Sequence, residues 1–180
     1  MGLVGLGEIG LKLAKKLSGF DMQILGYDPY ANKALAEEYG VKLVSLDELL
    51  GSSDFVSLHA RLTEENRHMI GARELGLMKP TAYLINTARA GLVDENALYQ
   101  ALKSKQLAGA AIDVFEKEPP GKDHPLVTLE NITITPHMAG GSVDAFVNSP
   151  KRLAADMINL FEKKSNVRFL LNRDSLTTWS

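Results

Sequence analysis

The chain contains no cysteine, which excludes a disulfide framework, a thiolate nucleophile and a cysteine-ligated metal site. The same absence is compatible with a reducing cytoplasm, the compartment that we expect. No apolar run approaches the roughly 20 residues of a membrane span. The formal net charge of only -2 gives no reason to expect a nucleic acid or an anionic membrane as a partner. What remains is 180 residues of ordinary globular composition, enough for one domain with a proper core.

The first ten residues carry glycines in the pattern G-x-G-x-x-G, at Gly5, Gly7 and Gly10. An apolar run precedes the pattern and an amphipathic helical pattern follows it, which is the context in which this turn binds a dinucleotide. The first glycine permits the tight turn, the second lets the backbone approach a pyrophosphate, and the third allows close helix–strand packing. The anion would meet the free N–H groups of the helix start, so Glu8 and Ile9 are also expected cofactor contacts.

An acidic residue about 20 positions after the turn is the second part of a dinucleotide site. Asp28 closes the apolar segment 22–28 and precedes a proline. Its carboxylate would accept hydrogen bonds from ribose hydroxyls and repel a 2′-phosphate. The next basic residue is Lys33, so we predict NAD rather than NADP as the cofactor.

Strands and helices alternate along the chain, which predicts a parallel sheet with right-handed crossovers. After the strand before the glycine turn, strands are predicted at 22–28, 54–59, 82–86, 107–115 and 131–136, with a brief extended piece at 41–44. The predicted fold is therefore a single-domain, three-layer α/β structure, a Rossmann-type doubly wound sheet of strand order 3-2-1-4-5-6.

The last helix is predicted from Ser149 as N-cap and Pro150 at its first position to about residue 163. Its inward face would be Leu153, Met157, Leu160 and Phe161, and Phe115 and Phe146 are also expected in the core.

The glycine turn and several polar residues follow the strands of the predicted sheet. They are Gly5–Gly10, Asp28, His59, Arg89, Asp113 and His137. Ligands of such sheets bind beyond the carboxyl ends of the strands, so this distribution indicates a functional site and not a core.

Three further stretches, in order behind the glycine turn, narrow the reaction: 86–94 (NTARAGLVD), 113–119 (DVFEKEP) and 135–141 (TPHMAGG). Together they resemble the cofactor domain of the D-isomer-specific 2-hydroxyacid dehydrogenases over roughly residues 1–163. The resemblance implies an oxidoreductase that transfers a hydride between NAD and a D-2-hydroxy acid or its 2-keto acid.

The chemistry of such a reaction accounts for the residue types. Arg89 suits a carboxylate anchor, because a guanidinium binds carboxylates through a fixed fork. His137 suits the acid/base role. A carboxylate beside it would favour the imidazolium and fix its tautomer, and the resemblance gives that role to Glu118 rather than Glu116. His68 and His124 match no motif and are expected to be ordinary surface or loop histidines.

The resemblance also implies further cofactor contacts. Asp113 would lie near the nicotinamide carboxamide, and the backbone around Ala88 and Gly140 would line the same region. His59 and Thr63 stand in a segment that lies beside the cofactor in the family, although Arg61 replaces its usual proline.

Members of this family are usually near twice this length. We therefore expect residues 1–163 to be the cofactor domain of a larger enzyme or a truncated product, and 164–180 to be a tail belonging to an absent substrate domain. The chain alone would then bind NADH with little turnover, and by analogy it would form a homodimer. An NAD-sensing regulatory or co-repressor-like protein remains the alternative. A related formate or phosphite dehydrogenase would change only the substrate.

Overall fold

Seven parallel strands form one sheet in the computed structural model, which describes residues 1–162. The strands are β1 (Gly2–Val4), β2 (Ile24–Tyr27), β3 (Val41–Leu43), β4 (Phe55–Leu58), β5 (Tyr83–Asn86), β6 (Gly109–Ile112) and β7 (Ile132–Ile134). Every pairing is parallel. The predicted Rossmann-type α/β architecture is confirmed.

The strand order is β3-β2-β1-β4-β5-β6-β7. The short piece after Gly40 is a full edge strand, because Val41 pairs with Ile24 of β2. The prediction that the strand at 54–59 is the third strand, at that edge of the sheet, is wrong: Leu58 pairs with Val4 of β1. The sequence predicted an extended piece at 41–44, but so short a segment does not show whether it joins the sheet.

Two hydrophobic cores lie on opposite faces of the sheet. Leu3 belongs to one core and Val4 to the other, and Ile24 and Leu25 divide in the same way. Successive side chains of a strand point to opposite faces, so this division identifies three layers. One core packs against helices α1 (Glu8–Leu17) and α2 (Lys33–Glu38), and the other against α3 (Leu46–Ser52), α4 (Ala72–Leu77) and α5 (Glu95–Lys103).

Side-chain caps fix the starts of two helices. Ser45 accepts a hydrogen bond from the backbone N–H of Glu48 at the start of α3. Asp94 accepts two, from Asn96 and Ala97, at the start of α5. Each cap satisfies N–H groups that a helix cannot satisfy internally.

Residues 1–138 form one compact unit, and a second begins at Ala139. The second contains α6 (Val143–Phe161), whose N-cap is Ser142 and not Ser149 as predicted; Pro150 lies inside the helix. Ser142 accepts a bond from the N–H of Ala145, so a complete cap exists about two turns earlier than the serine–proline pair.

The expected burial of the α6 apolar stripe is also wrong. Leu153, Met157 and Phe161 are exposed, Leu160 is only partly buried, and Phe146 is 77% exposed. Helical periodicity identifies an apolar face but does not show that anything covers it. Phe115, by contrast, is buried as predicted.

Among the described residues, no helix is long and apolar enough to cross a membrane. The tail predicted at 164–180 lies outside the described residues.

Candidate active site at the carboxyl edge of the sheet

The glycine turn follows β1 at the carboxyl edge, and its three glycines are required for different reasons. Gly5 has φ of 94°, and a Cβ there would lie 2.5 Å from the backbone nitrogen of Ala60. A Cβ on Gly10 would collide with the carbonyl oxygen of Gly5. A Cβ on Gly7, however, would meet no described protein atom within 4 Å. Packing within the protein therefore explains the first and third glycines, but it does not explain the second.

Helix α1 presents its N-terminus to the same space. Gly7 is its N-cap and forms no side-chain cap, so the first N–H groups of the helix are available to an anion. Glu8 and Ile9 are both exposed there. The Glu8 carboxylate lies 3.5 Å from Lys12, one turn along the helix. The arrangement fits a bound phosphate, and a side chain at position 7 would obstruct its approach.

Asp28 lies directly after β2 and is tied to the glycine turn. One carboxylate oxygen accepts a hydrogen bond from the N–H of Leu6 at 2.8 Å, and the other accepts one from the N–H of Tyr30 at 2.8 Å. A carboxylate has about four lone-pair sites, so both oxygens can still accept bonds from ribose hydroxyls. The position of Asp28 and its free acceptor sites are compatible with its predicted role in binding the ribose.

His59 follows β4, where its N–H donates to the carbonyl of Val4 at 2.7 Å. Its Nε2 is buried and has no hydrogen-bond partner within residues 1–162, and burial lowers the pKa of His59. Such an atom is costly unless a ligand or water satisfies it. Thr63 is exposed, and its N–H donates to Asn66, whose side chain also donates to the carbonyl of Arg61. Asn66 thus holds the backbone at the position that the family gives to proline.

Arg89 is positioned by Asn86, a residue to which the sequence alone assigned no role. The Asn86 side chain is buried, accepts a bond from the N–H of Ala88 at 3.0 Å and donates to the carbonyl of Arg89 at 3.0 Å. The Arg89 side chain is exposed, and its Nη1 donates to the carbonyl of Ala88 at 2.6 Å. A buried amide therefore fixes the backbone that carries an accessible guanidinium.

His137 and Glu118 lie side by side. Nδ1 of His137 is 2.8 Å from Oε2 of Glu118, and Oε1 of Glu118 accepts a bond from the N–H of Phe115 at 3.0 Å. The hydrogen bond with His137 holds the pKa of Glu118 below its ordinary value. Glu116 instead lies 3.0 Å from Nε2 of His68. The structure thus brings Glu118, and not Glu116, to the histidine.

Asp113 ends β6 and is 2% exposed. Its Oδ1 accepts a bond from the hydroxyl of Thr135 and another from the N–H of Met138 at 2.8 Å. These two residues flank His137, which has φ of 55°, a left-handed conformation uncommon for histidine. Asp113 therefore holds the loop on both sides of His137, a contact that its strand position alone did not predict.

A cavity of about 560 Å³ contains the three predicted catalytic side chains. Its lining includes Arg67, Arg89, Glu116, Glu118 and His137. Arg67 was missed because it belongs to no motif, and only the fold brings it to this cavity. Gly140 lies in the second unit, exposed, and its predicted cofactor contact stays a prediction. No group of three or more possible metal ligands occurs among the described residues.

Comparison with known proteins shows the family. Residues 1–139 match the family model described as D-isomer specific 2-hydroxyacid dehydrogenase, NAD binding domain. The chain belongs to this family. Its glycine turn, Asp28 and the side chains of the cavity thus lie in the part of the chain that matches this NAD-binding-domain model.

Individual members of the family support the assignment. The chain is 42% identical over 175 residues to D-3-phosphoglycerate dehydrogenase of Archaeoglobus fulgidus, covering 97% of this chain and 33% of that protein. It is 47% identical over 158 residues to glyoxylate reductase of Korarchaeum cryptofilum, a match that covers 88% of this chain and 48% of that protein. The structure of D-lactate dehydrogenase with NAD+ from Lactobacillus jensenii matches with a TM-score of 0.86 at 30% identity. The match covers 96% of this chain and 55% of that one. The chain thus spans about a third to a half of the curated relatives' length.

Proposed function

We propose that the whole protein is an NAD-dependent oxidoreductase that interconverts a D-2-hydroxy acid and its 2-keto acid. The observation that carries the proposal is the 2.8 Å contact between His137 and Glu118 in a cavity that Arg89 also lines. An acid/base histidine, a carboxylate that orients it and an anchor for a carboxylate are the groups that this reaction requires.

His137 is proposed to supply the proton. A carboxylate can only accept hydrogen bonds, so Nδ1 of His137 carries a proton in its contact with Glu118. The second ring nitrogen, Nε2, then gives a proton to the forming alkoxide and takes it back in the reverse direction. When bound, NADH supplies the hydride. Proton transfer of this kind contributes about 10²–10⁴-fold to a rate.

Arg89 is proposed to hold the substrate carboxylate. Its guanidinium has several donors in a fixed fork, and the carbonyl of Ala88 occupies one of them. The extended backbone of Arg89 is fixed by Asn86, which limits the freedom lost when substrate binds.

The Gly5–Gly10 turn, the start of α1 and Asp28 are proposed to bind NAD in preference to NADP. A 2′-phosphate would face the Asp28 carboxylate, and the two negative charges repel. Isothermal titration of NADH and NADPH tests this preference. Tighter binding of NADPH would refute it. An Asp28→Asn variant should narrow the difference between the Kd values of NADH and NADPH, because the negative charge that repels the 2′-phosphate is removed.

Turnover tests the proposed reaction and separates it from the NAD-sensing alternative. The complete gene product should oxidise NADH when given a 2-keto acid and should release the D-hydroxy acid, whereas the 180-residue chain should bind NADH with little turnover. NADH binding without reduction of any 2-keto acid by the complete gene product would favour the sensing protein. The names of the relatives include acids with and without a second anionic group, so they do not select the substrate.

The homodimer and the cytoplasmic location are further proposals, made by analogy with the family. The exposed apolar stripe of α6, including Phe146 and Leu153, is a surface that association could cover. Sedimentation equilibrium tests the dimer, and a monomer at micromolar concentration would contradict it. Cell fractionation tests the location.

A further inference from the structure

We propose that Arg67 is a second anion-binding residue of the candidate active site and that it selects 2-keto acids with a second anionic group, a phosphate or a carboxylate. The inference rests on the proposed function, because it assigns the substrate class of the same site. Arg67 and Arg89 line one cavity, although 22 positions separate them in the sequence.

Backbone hydrogen bonds hold Arg67 beside the segment that follows Arg89. The N–H of His68 donates to the carbonyl of Gly91 at 2.7 Å, and the N–H of Ile70 donates to that of Leu92 at 3.0 Å. Nη1 of Arg67 would lie 3.2 Å from a Cβ placed on Gly91. The Arg67 guanidinium therefore rests against Gly91, two residues after Arg89, and a side chain there would displace it.

The carboxylates of the cavity are paired with histidines, so its two guanidiniums are available to an anion. Glu118 is paired with His137 and Glu116 with His68, both at 3.0 Å or less. Arg67 is 3.8 Å from Glu64, whose side chain is 90% exposed, and such a pair contributes little. Among the described residues, no ion pair joins either arginine to a carboxylate of the cavity. Two cations thus face the space in which the substrate is proposed to bind.

Two guanidiniums that line one cavity favour a ligand with two anionic groups. Each fork can form parallel hydrogen bonds with a carboxylate or a phosphate. If Arg89 binds the carboxylate next to the keto group, Arg67 remains as a second cation of the cavity for another anionic group. A keto acid with a single carboxylate has no second anionic group and would leave Arg67 without a partner from the substrate. The two cations therefore favour a doubly anionic substrate.

Substrate discrimination by an Arg67→Gln variant of the complete gene product tests the inference. The substrates are 3-phosphohydroxypyruvate, whose second anionic group is a phosphate, oxaloacetate, whose second anionic group is a carboxylate, and glyoxylate, which has only the carboxylate next to its carbonyl group. Loss of a charge-assisted pair should lower kcat/KM for the preferred dianion by about 10- to 100-fold, mainly through KM, and change that for glyoxylate by less than about threefold. The dianion whose kcat/KM falls more in Arg67→Gln shows whether Arg67 prefers a phosphate or a carboxylate.

Two variants control for charge and for shape. Arg61→Gln removes the same charge from the same segment, but Arg61 is exposed and does not line the cavity, so it should leave discrimination unchanged. Arg67→Lys keeps the charge without the fork and should recover part of the loss. Equal losses for glyoxylate and both dianions in Arg67→Gln, or a wild-type preference for glyoxylate, would overturn the inference.

A binding measurement separates this inference from the proposed function. The Nε–H resonance of Arg67, assigned by its loss in Arg67→Gln, should shift when 3-phosphoglycerate or malate is added with NAD+, but not with glycolate. No shift with either dianion overturns the role of Arg67, even if the protein reduces keto acids. Absence of any NADH-dependent reduction would instead defeat the proposed function, while a shift with a dianion would still support the anion site.

Discussion

Replacing Gly7 with alanine adds one methyl group at the point where the pyrophosphate of NAD is proposed to bind. Gly7 has φ of -71° and ψ of -166°, a conformation that alanine adopts without strain. Its Cβ would have no described protein neighbour within 4 Å. The change should therefore act on binding and spare the fold.

The two effects differ in size. For stability, an N-cap alanine is poorer than glycine, but alanine also restricts the unfolded chain by about 0.4–1 kcal/mol, so the net change should stay below about 1 kcal/mol. For binding, the methyl group would push the pyrophosphate away from the N–H groups of α1. Hydrogen bonds to a charged group contribute about 1.5–3 kcal/mol each, so losing one should raise the Kd of NADH by about 10- to 100-fold.

Isothermal titration with NADH and urea denaturation of the same samples measure both effects. Gly19→Ala is the matched control, because Gly19 also has no described atom within 4 Å of its added Cβ but lies outside the turn. It should change neither quantity appreciably. Unchanged NADH affinity in Gly7→Ala would refute the placement of the pyrophosphate, and a large loss of stability would show that the glycine serves packing.

Three further predictions concern the fold and the histidine loop. Gly10→Ala should destabilise the protein by about 1–3 kcal/mol in urea denaturation, because its Cβ collides with the backbone of Gly5; a stability equal to wild type would contradict the close contact between the turn and α1. Asp113→Ala should cost about 1–3 kcal/mol, because it removes the acceptor of Thr135 and Met138; a change below about 0.5 kcal/mol would be inconsistent with that role. The carboxyl resonance of Glu118 should titrate below the ordinary glutamate pKa, because the hydrogen bond with His137 lowers that pKa. The pKa of Glu118 should therefore rise in His137→Asn, and an unchanged pKa would contradict the contact. The contribution of this pair to stability is present above the pKa of Glu118 in the unfolded chain and is lost as the pH falls through the pKa in the folded protein.

Local signals in the sequence predicted most of the sheet and the residues at its carboxyl edge. Asp28 and His137 follow strands whose apolar runs are easy to recognise. A parallel sheet then places such residues at one edge without further information. The place of Val41–Leu43 in the sheet and the start of α6 could not be predicted in this way, because a very short strand and two competing serine caps give ambiguous patterns.

The contacts of the site depended on tertiary structure. No spacing rule indicated that Asp113 would hold both sides of His137 or that Asn86 would fix the backbone of Arg89. Arg67 reaches the cavity only because its segment pairs with the residues after Arg89. Exposure of the α6 stripe is likewise a property of what surrounds the helix and not of its periodicity.

The His137→Asn variant of the complete gene product tests the central claim most directly, with NADH affinity and 2-keto acid turnover measured on the same sample. Asparagine keeps a polar side chain at φ of 55° and is among the residues that tolerate this conformation, so the loop should remain folded. We expect a Kd for NADH within about twofold of wild type and a turnover lower by about 10²–10⁴-fold. Turnover equal to wild type would contradict the assignment of His137 as the acid/base.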